Sequence, residues 1–94
     1  MSDPVGVKST NVTATGTVVT GSYYLKAYHC ISGGTAGDVV FRDNGASGTI
    51  LMQFNIGTGT QPVMLTLPDA GILFETDIHV TLPASAKITS FYGK

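Results

Sequence analysis

At 94 residues the chain has the length of one domain, 1–94, with room for a single thin core. Charged residues make up 12% and the formal net charge is −1, against about 25% charged in an ordinary soluble domain. The five cations, Lys8, Lys26, Arg42, Lys87 and Lys94, stand singly, which removes the basic patch of a nucleic-acid binder. No apolar run approaches the ~18 residues of a membrane span, so neither nucleic acid nor membrane is an expected partner.

Surface scaling predicts roughly 5,000 Å² exposed when folded against roughly 14,000 Å² unfolded, which leaves no deep cleft within one chain. Gly, Thr and Ser carry the polarity that charges usually supply. Net charge near zero does little to keep copies apart and favours association. The composition therefore suits a subunit of a fixed assembly, with a small Thr-rich β-protein as the plainer alternative. Cys30 is alone, so no disulfide forms within the chain. The opening MSDPVGVKST lacks the regions of a signal peptide, and synthesis in the cytoplasm is the expectation. On that view the sequon Asn11-Val12-Thr13 is accidental.

Residues 1–6 read as a loose arm because Pro4 and Gly6 discourage regular structure. NVTATGTVV, residues 11–19, is rich in strand-forming Thr and Val. Gly16 interrupts it, so it reads as one bent strand or two short ones ending at Gly21. A β-meander is expected next, as three strands joined by two glycine-rich hairpin turns. Strand 23–31 has faces Tyr23, Leu25, Ala27, His29, Ile31 and Tyr24, Lys26, Tyr28, Cys30, with the first the core side. The turn GGTAG leads to strand 38–43, where Val39 and Phe41 share a face. NGASG, with Asn44-Gly45 as a strong hairpin signal, leads to strand 49–55, with Ile50, Met52 and Phe54 inward.

IGTGT, residues 56–60, reads as a loop, followed by a strand 61–67 with Val63, Leu65 and Leu67 on one face. Pro68-Asp69-Ala70-Gly71 is a turn, and Ile72–Phe74 is short and apolar. Residues 77–82 alternate, Ile78, Val80 and Leu82 inward and His79 and Thr81 outward. Pro83 stops that strand, and 87–92 forms the last. No stretch shows apolar residues at helical spacing. The pattern is an all-β antiparallel sandwich, jelly-roll-like, of seven or eight short strands. Its expected core is Leu25, Ile31, Val39, Phe41, Ile50, Met52, Phe54, Val63, Leu65, Val80 and Ile88.

Chemistry-bearing motifs are few. His29 and Cys30 are adjacent on a strand and point to opposite faces, which argues against a shared metal ion. Glu75 and Asp77, with Asp69, could cluster, but no calcium-loop spacing follows and a solvated turn is the reading. SGGTAGD runs into a strand and brings no lysine, unlike a phosphate-cradling loop. There is no G-x-S-x-G nucleophile motif. No catalytic residue, metal site or cofactor is expected, and the chain is not expected to be an enzyme. The aromatics are more informative: Tyr24, Tyr28, Phe91 and Tyr92 are the interface candidates, since exposed aromatics are enriched at contacts and stack on sugars. Tyr24, Tyr28 and one of the last pair are expected to be at least partly exposed.

Three stretches, VKSTNVTATGTVVTG (7–21), SGGTAGDVVFRDNGASGT (32–49) and PDAGILFETDIHVTL (68–82), together resemble small proteins of similar length encoded by marine tailed phages, including cyanophages. The likeness covers most of the chain and lies in turns and strand edges. IGTGTQ stands where those proteins carry a more acidic or alanine-rich loop. The resemblance implies a compact phage β-protein, a virion decoration, neck or tail accessory subunit made in the host cytoplasm. Its partners would be copies of itself, a trimer first, and other virion proteins. A small carbohydrate-binding module is the alternative, on the strength of the aromatics and the use of such folds in lectins.

Overall fold

The computed structural model describes residues 7–59, 62–67 and 71–94. The expected arm 1–6, the end of the 56–60 loop and most of the 68–71 turn lie outside the described residues. Among these, nine strands and no helix are present: β1 (Lys8–Val12), β2 (Gly16–Thr20), β3 (Tyr23–Ile31), β4 (Gly37–Asp43), β5 (Thr49–Ile56), β6 (Val63–Thr66), β7 (Ile72–Phe74), β8 (Asp77–Thr81) and β9 (Lys87–Gly93). They form two antiparallel sheets packed face to face as a β-sandwich. Sheet A runs β1-β9-β3-β6, with β7 beside β6 along the same flank of β3, and sheet B runs β2-β8-β4-β5.

The Thr- and Val-rich 8–20 region is two strands rather than one bent strand, and they belong to different sheets. Pairing is nested. β4 pairs β5, β3 pairs β6 and β7, β2 pairs β8, and β1 pairs β9. The expected three-stranded meander is therefore only half right. β4 and β5 are a hairpin, closed where Asn44 (φ 76°) and Gly45 (φ 81°) take the left-handed conformation that the Asn-Gly pair favours. The GGTAG segment is no hairpin turn, because β3 and β4 lie in opposite sheets and the segment crosses between them. Ser32 Oγ fixes that crossing by donating to the Gly57 carbonyl at 2.7 Å and accepting from the Gly34 amide at 3.1 Å.

Between the sheets lies one core, built on Leu25, Val39, Phe41, Phe74, Ile78, Val80 and Ile88, all fully buried. Phe41 is its aromatic hinge: its ring centroid is 6.0 Å from Tyr28 and 6.4 Å from Phe74. Phe54 of β5 stacks almost parallel on Tyr28, at 4.5 Å.

Two irregularities of register change which residues reach this core. The β3–β9 ladder slips between Leu25 and Ala27. One extra residue shifts a period-two pattern by one. Leu25 is inward as expected, but beyond the bulge Tyr28 and Cys30 turn inward and Ala27, His29 and Ile31 turn outward. Ile31 is thus exposed rather than core. A second slip lies between Phe41 and Arg42 in the β4–β5 ladder, where Arg42 pairs Ile50 and Leu51 is the additional residue. Met52 and Phe54 pack on the core, while Ile50 sits on Arg42's outward face, exposed.

Candidate functional site

The outward aromatic face expected from the sequence is reduced by the β3 bulge. Tyr28 is 3% exposed and part of the core. Burial, with a smaller contribution from Cys30, raises its phenol above the ordinary value. Tyr92 is also buried: its ring meets Tyr23 edge-on at 5.1 Å and its hydroxyl shares a 2.9 Å hydrogen bond with Thr10 Oγ1. Tyr24 and Phe91 are half-buried, on the outward side of sheet A, where Phe91 pairs Ala27 and Tyr24 pairs Leu73. The four tyrosine and phenylalanine candidates do not assemble into one surface, and the Tyr24–Tyr28 pair, which lies on opposite faces of β3, forms no stacking platform.

His29 and Cys30 point to opposite sides of sheet A, outward beside Thr89 and inward beside Ile88 respectively. Burial raises the Cys30 thiol above its usual range. Among the described residues no three His, Cys, Asp or Glu side chains gather as a metal-holding group. His79 projects from sheet B between Thr17 and Arg42, is nearly buried there, and leaves Nδ1 without a hydrogen-bond partner.

The acidic residues near the β7–β8 turn prove to be structural. Asp43, at the end of β4, accepts from the amides of Glu75 (3.0 Å), Thr76 (2.8 Å) and Asp77 (3.3 Å). These hydrogen bonds, those from Glu75 and Thr76 foremost, hold its carboxyl below the usual carboxylate range. Glu75 takes part through its backbone, and Asp69 lies outside the described residues. Asp38 opens β4 in the same manner, its carboxylate accepting 2.9 Å bonds from Asn55 Nδ2 and Gln53 Nε2, which lower its pKa in that order.

The feature the sequence reading missed is one side of the sandwich. β1 lies against β2 at one flank, while Tyr28 of β3 stacks on Phe54 of β5 toward the other. Among the described residues, the edge strands β5 and β6–β7 therefore fall on a common side. Val63 and Leu65 do point inward, as their pairing with Cys30 and Tyr28 requires. At the margin of sheet A they nevertheless remain 38% and 42% exposed, and Met64 between them is 68% exposed. They belong to the rim, not the core in which the sequence places them. Ile50, Leu51 and Leu73 are exposed on the neighbouring edge strands. Across β5, β6 and β7, TILMQFNI, VMLT and ILF, there is no charged side chain. The signal was present as a run of uncharged strands, but its position on one flank depends on the nested pairing.

No family model, curated protein or solved structure matches the chain.

Proposed function

We propose that the chain is a structural subunit that works by self-assembly, a phage virion accessory protein of the decoration, neck or tail kind, with no catalytic step. The observation that carries this reading is the uncharged apolar flank formed by β5, β6 and β7. Solvent-exposed edge strands of this composition invite pairing with another chain, and natural monomers guard them with lysine, proline or bulges. Of these, β5 has the bulge at Leu51, while none of the three strands holds a lysine or proline. The low overall charge supports the same reading. So does the winding: nested pairing of β1 with β9 inward to β4 with β5 is the pattern of a rolled-up hairpin, and we read it as a jelly roll, the architecture of many capsid and lectin domains. The phage assignment follows from the resemblance of residues 7–21, 32–49 and 68–82. On it, the protein is made in the host cytoplasm and resides in the virion, with copies of itself and other virion proteins as partners. A trimer is the favoured state, by analogy with accessory proteins that sit on threefold and sixfold axes.

The test is the mass of the purified chain by multi-angle light scattering across the micromolar range. The reading expects a fixed multiple of 9.7 kDa, and a constant 9.7 kDa would overturn it. Detection of the chain in purified particles tests the virion assignment separately.

A further inference from the structure

We infer that the open flank between the β5 edge and the β6–β7 edge is the surface through which one copy of the chain packs on another, and that it faces the symmetry axis of the assembly. The inference rests on the self-assembling reading and names its contact. Area is the first argument. Six large apolar side chains, Ile50, Leu51, Val63, Met64, Leu65 and Leu73, are on average a little under half exposed. That amounts to roughly 500 Å² of apolar surface wrapped around the flank, against the ~300–600 Å² of a typical monomer's largest patch. Val63 and Leu65 face between the sheets, Met64 and Leu73 the outward side of sheet A, and Ile50 that of sheet B. A stable contact takes about 800 Å² from each partner. The strip supplies an apolar centre for such a contact, and polar neighbours on the same edges, such as Thr66 and Gln53, supply a rim.

The second argument is charge. The strip holds no ionised side chain, whereas β1, an edge on the opposite flank, carries Lys8. A basic or acidic partner would meet charge only at the margin, where Arg42 lies beside Ile50 and Asp38 is already bonded to Gln53 and Asn55. A second copy brings the same apolar area, and the β5 edge of one copy can meet the β6–β7 edge of the next, the head-to-tail contact that closes a ring. Because it occupies one flank, a closed symmetric assembly places it near the axis. Leu73 pairs Tyr24 on the outward side of sheet A, so Tyr24 borders the contact, while Phe91, on β9 two strands in from that edge, lies outside it.

Light scattering on the full chain, comparing wild type with Met64→Lys, Leu65→Lys and Phe91→Ala, tests this. Wild type and Phe91→Ala are expected to share one assembled mass. Each lysine variant is expected to weaken association by about thirty-fold or more, giving 9.7 kDa at concentrations where wild type is assembled. Far-ultraviolet circular dichroism and melting confirm that the variants fold, and Leu65→Ser replaces any lysine variant that does not. An assembled wild type with unaffected Met64 and Leu65 variants would overturn the placement of the contact and leave self-assembly standing. A wild type that stays at 9.7 kDa would overturn both.

Discussion

Asp43 and Asp77 each hold the other's turn. Asp43 accepts from the three amides of residues 75–77, and Asp77 Oδ1 in return accepts from the amides of Asn44 (3.0 Å) and Gly45 (3.1 Å). The β4–β5 hairpin and the β7–β8 turn are thereby locked together, and the Gly21 amide, donating to the Thr76 carbonyl at 2.8 Å, ties the β2–β3 turn to them.

Replacing Asp43 by alanine leaves three amides to water and should destabilise the fold by about 1–2 kcal/mol at neutral pH, the range for hydrogen bonds to a charged group reduced for solvent screening. The pH dependence follows from the depressed pKa. With the folded value below the unfolded one of about 3.9, the unfolded chain takes up the proton first. The stabilisation is complete above the unfolded pKa and is lost as pH falls through the folded one. Urea midpoints from pH 7 down to pH 2 should fall steeply below about pH 4 for wild type, and less steeply for Asp43→Asn.

Tyr24 and Tyr28, four residues apart on one strand, should behave as different kinds of residue. Tyr28→Ala empties a site bounded by Phe41 and Phe54 and is expected to cost about 3–5 kcal/mol. Tyr24→Ala, on the outward face, should cost well under half as much. Chemical denaturation of the pair reads the β3 bulge directly, since a regular strand would put both tyrosines on one side and make the two losses alike.

Cys30 is fully buried and its thiol is disfavoured as thiolate. The native protein should therefore resist a thiol-specific reagent at neutral pH. Labelling should appear only with opening of the core, so its dependence on urea should track the unfolding curve. Prompt labelling of one thiol per chain in buffer alone would contradict the inward setting of Cys30.

Gly71 adopts φ +93°, and a Cβ there would run into the Leu25 carbonyl beside the β3 bulge. Gly71→Ala should lose more than about 1 kcal/mol, because strain in the left-handed region outweighs the benefit of the entropy that alanine removes from the unfolded chain. An unchanged melting temperature for Gly71→Ala would show that the approach is relaxed at no cost.

Sandwich architecture was legible because alternation of apolar and polar residues survives wherever a ladder is regular. Val39 with Phe41, Ile78 with Val80, and Leu25 are where the period places them. What alternation cannot reveal is an extra residue within a run that still looks periodic. YYLKAYHCI offers apolar members on both faces, so the bulge that sends Tyr28 and Cys30 inward leaves no compositional mark. Nor does a strand announce its position in a sheet. Val63 and Leu65 face inward as alternation suggests, but β6 is an edge, and its lack of cover follows from pairings between residues far apart in sequence. Aromatic residues mark interfaces in a sequence more readily than the aliphatic and methionine side chains that line this flank.

The nested pairing also dictates an order of events during synthesis. β9 is central in sheet A, flanked by β1 and β3, although it is the most C-terminal of the described strands. Lys8 must wait for Tyr92, and β3 for Lys87–Phe91, so sheet A cannot close while residues 87–93 are still inside the ribosome. β4 and β5 can pair as soon as they emerge, but the core they help enclose lacks its opposite wall until residues 87–93 have emerged as well. All-β chains dominated by such distant contacts fold in milliseconds to seconds rather than microseconds. A nascent chain stalled before residue 87 should remain protease-sensitive, with the apolar edge strands available to chaperones or to one another.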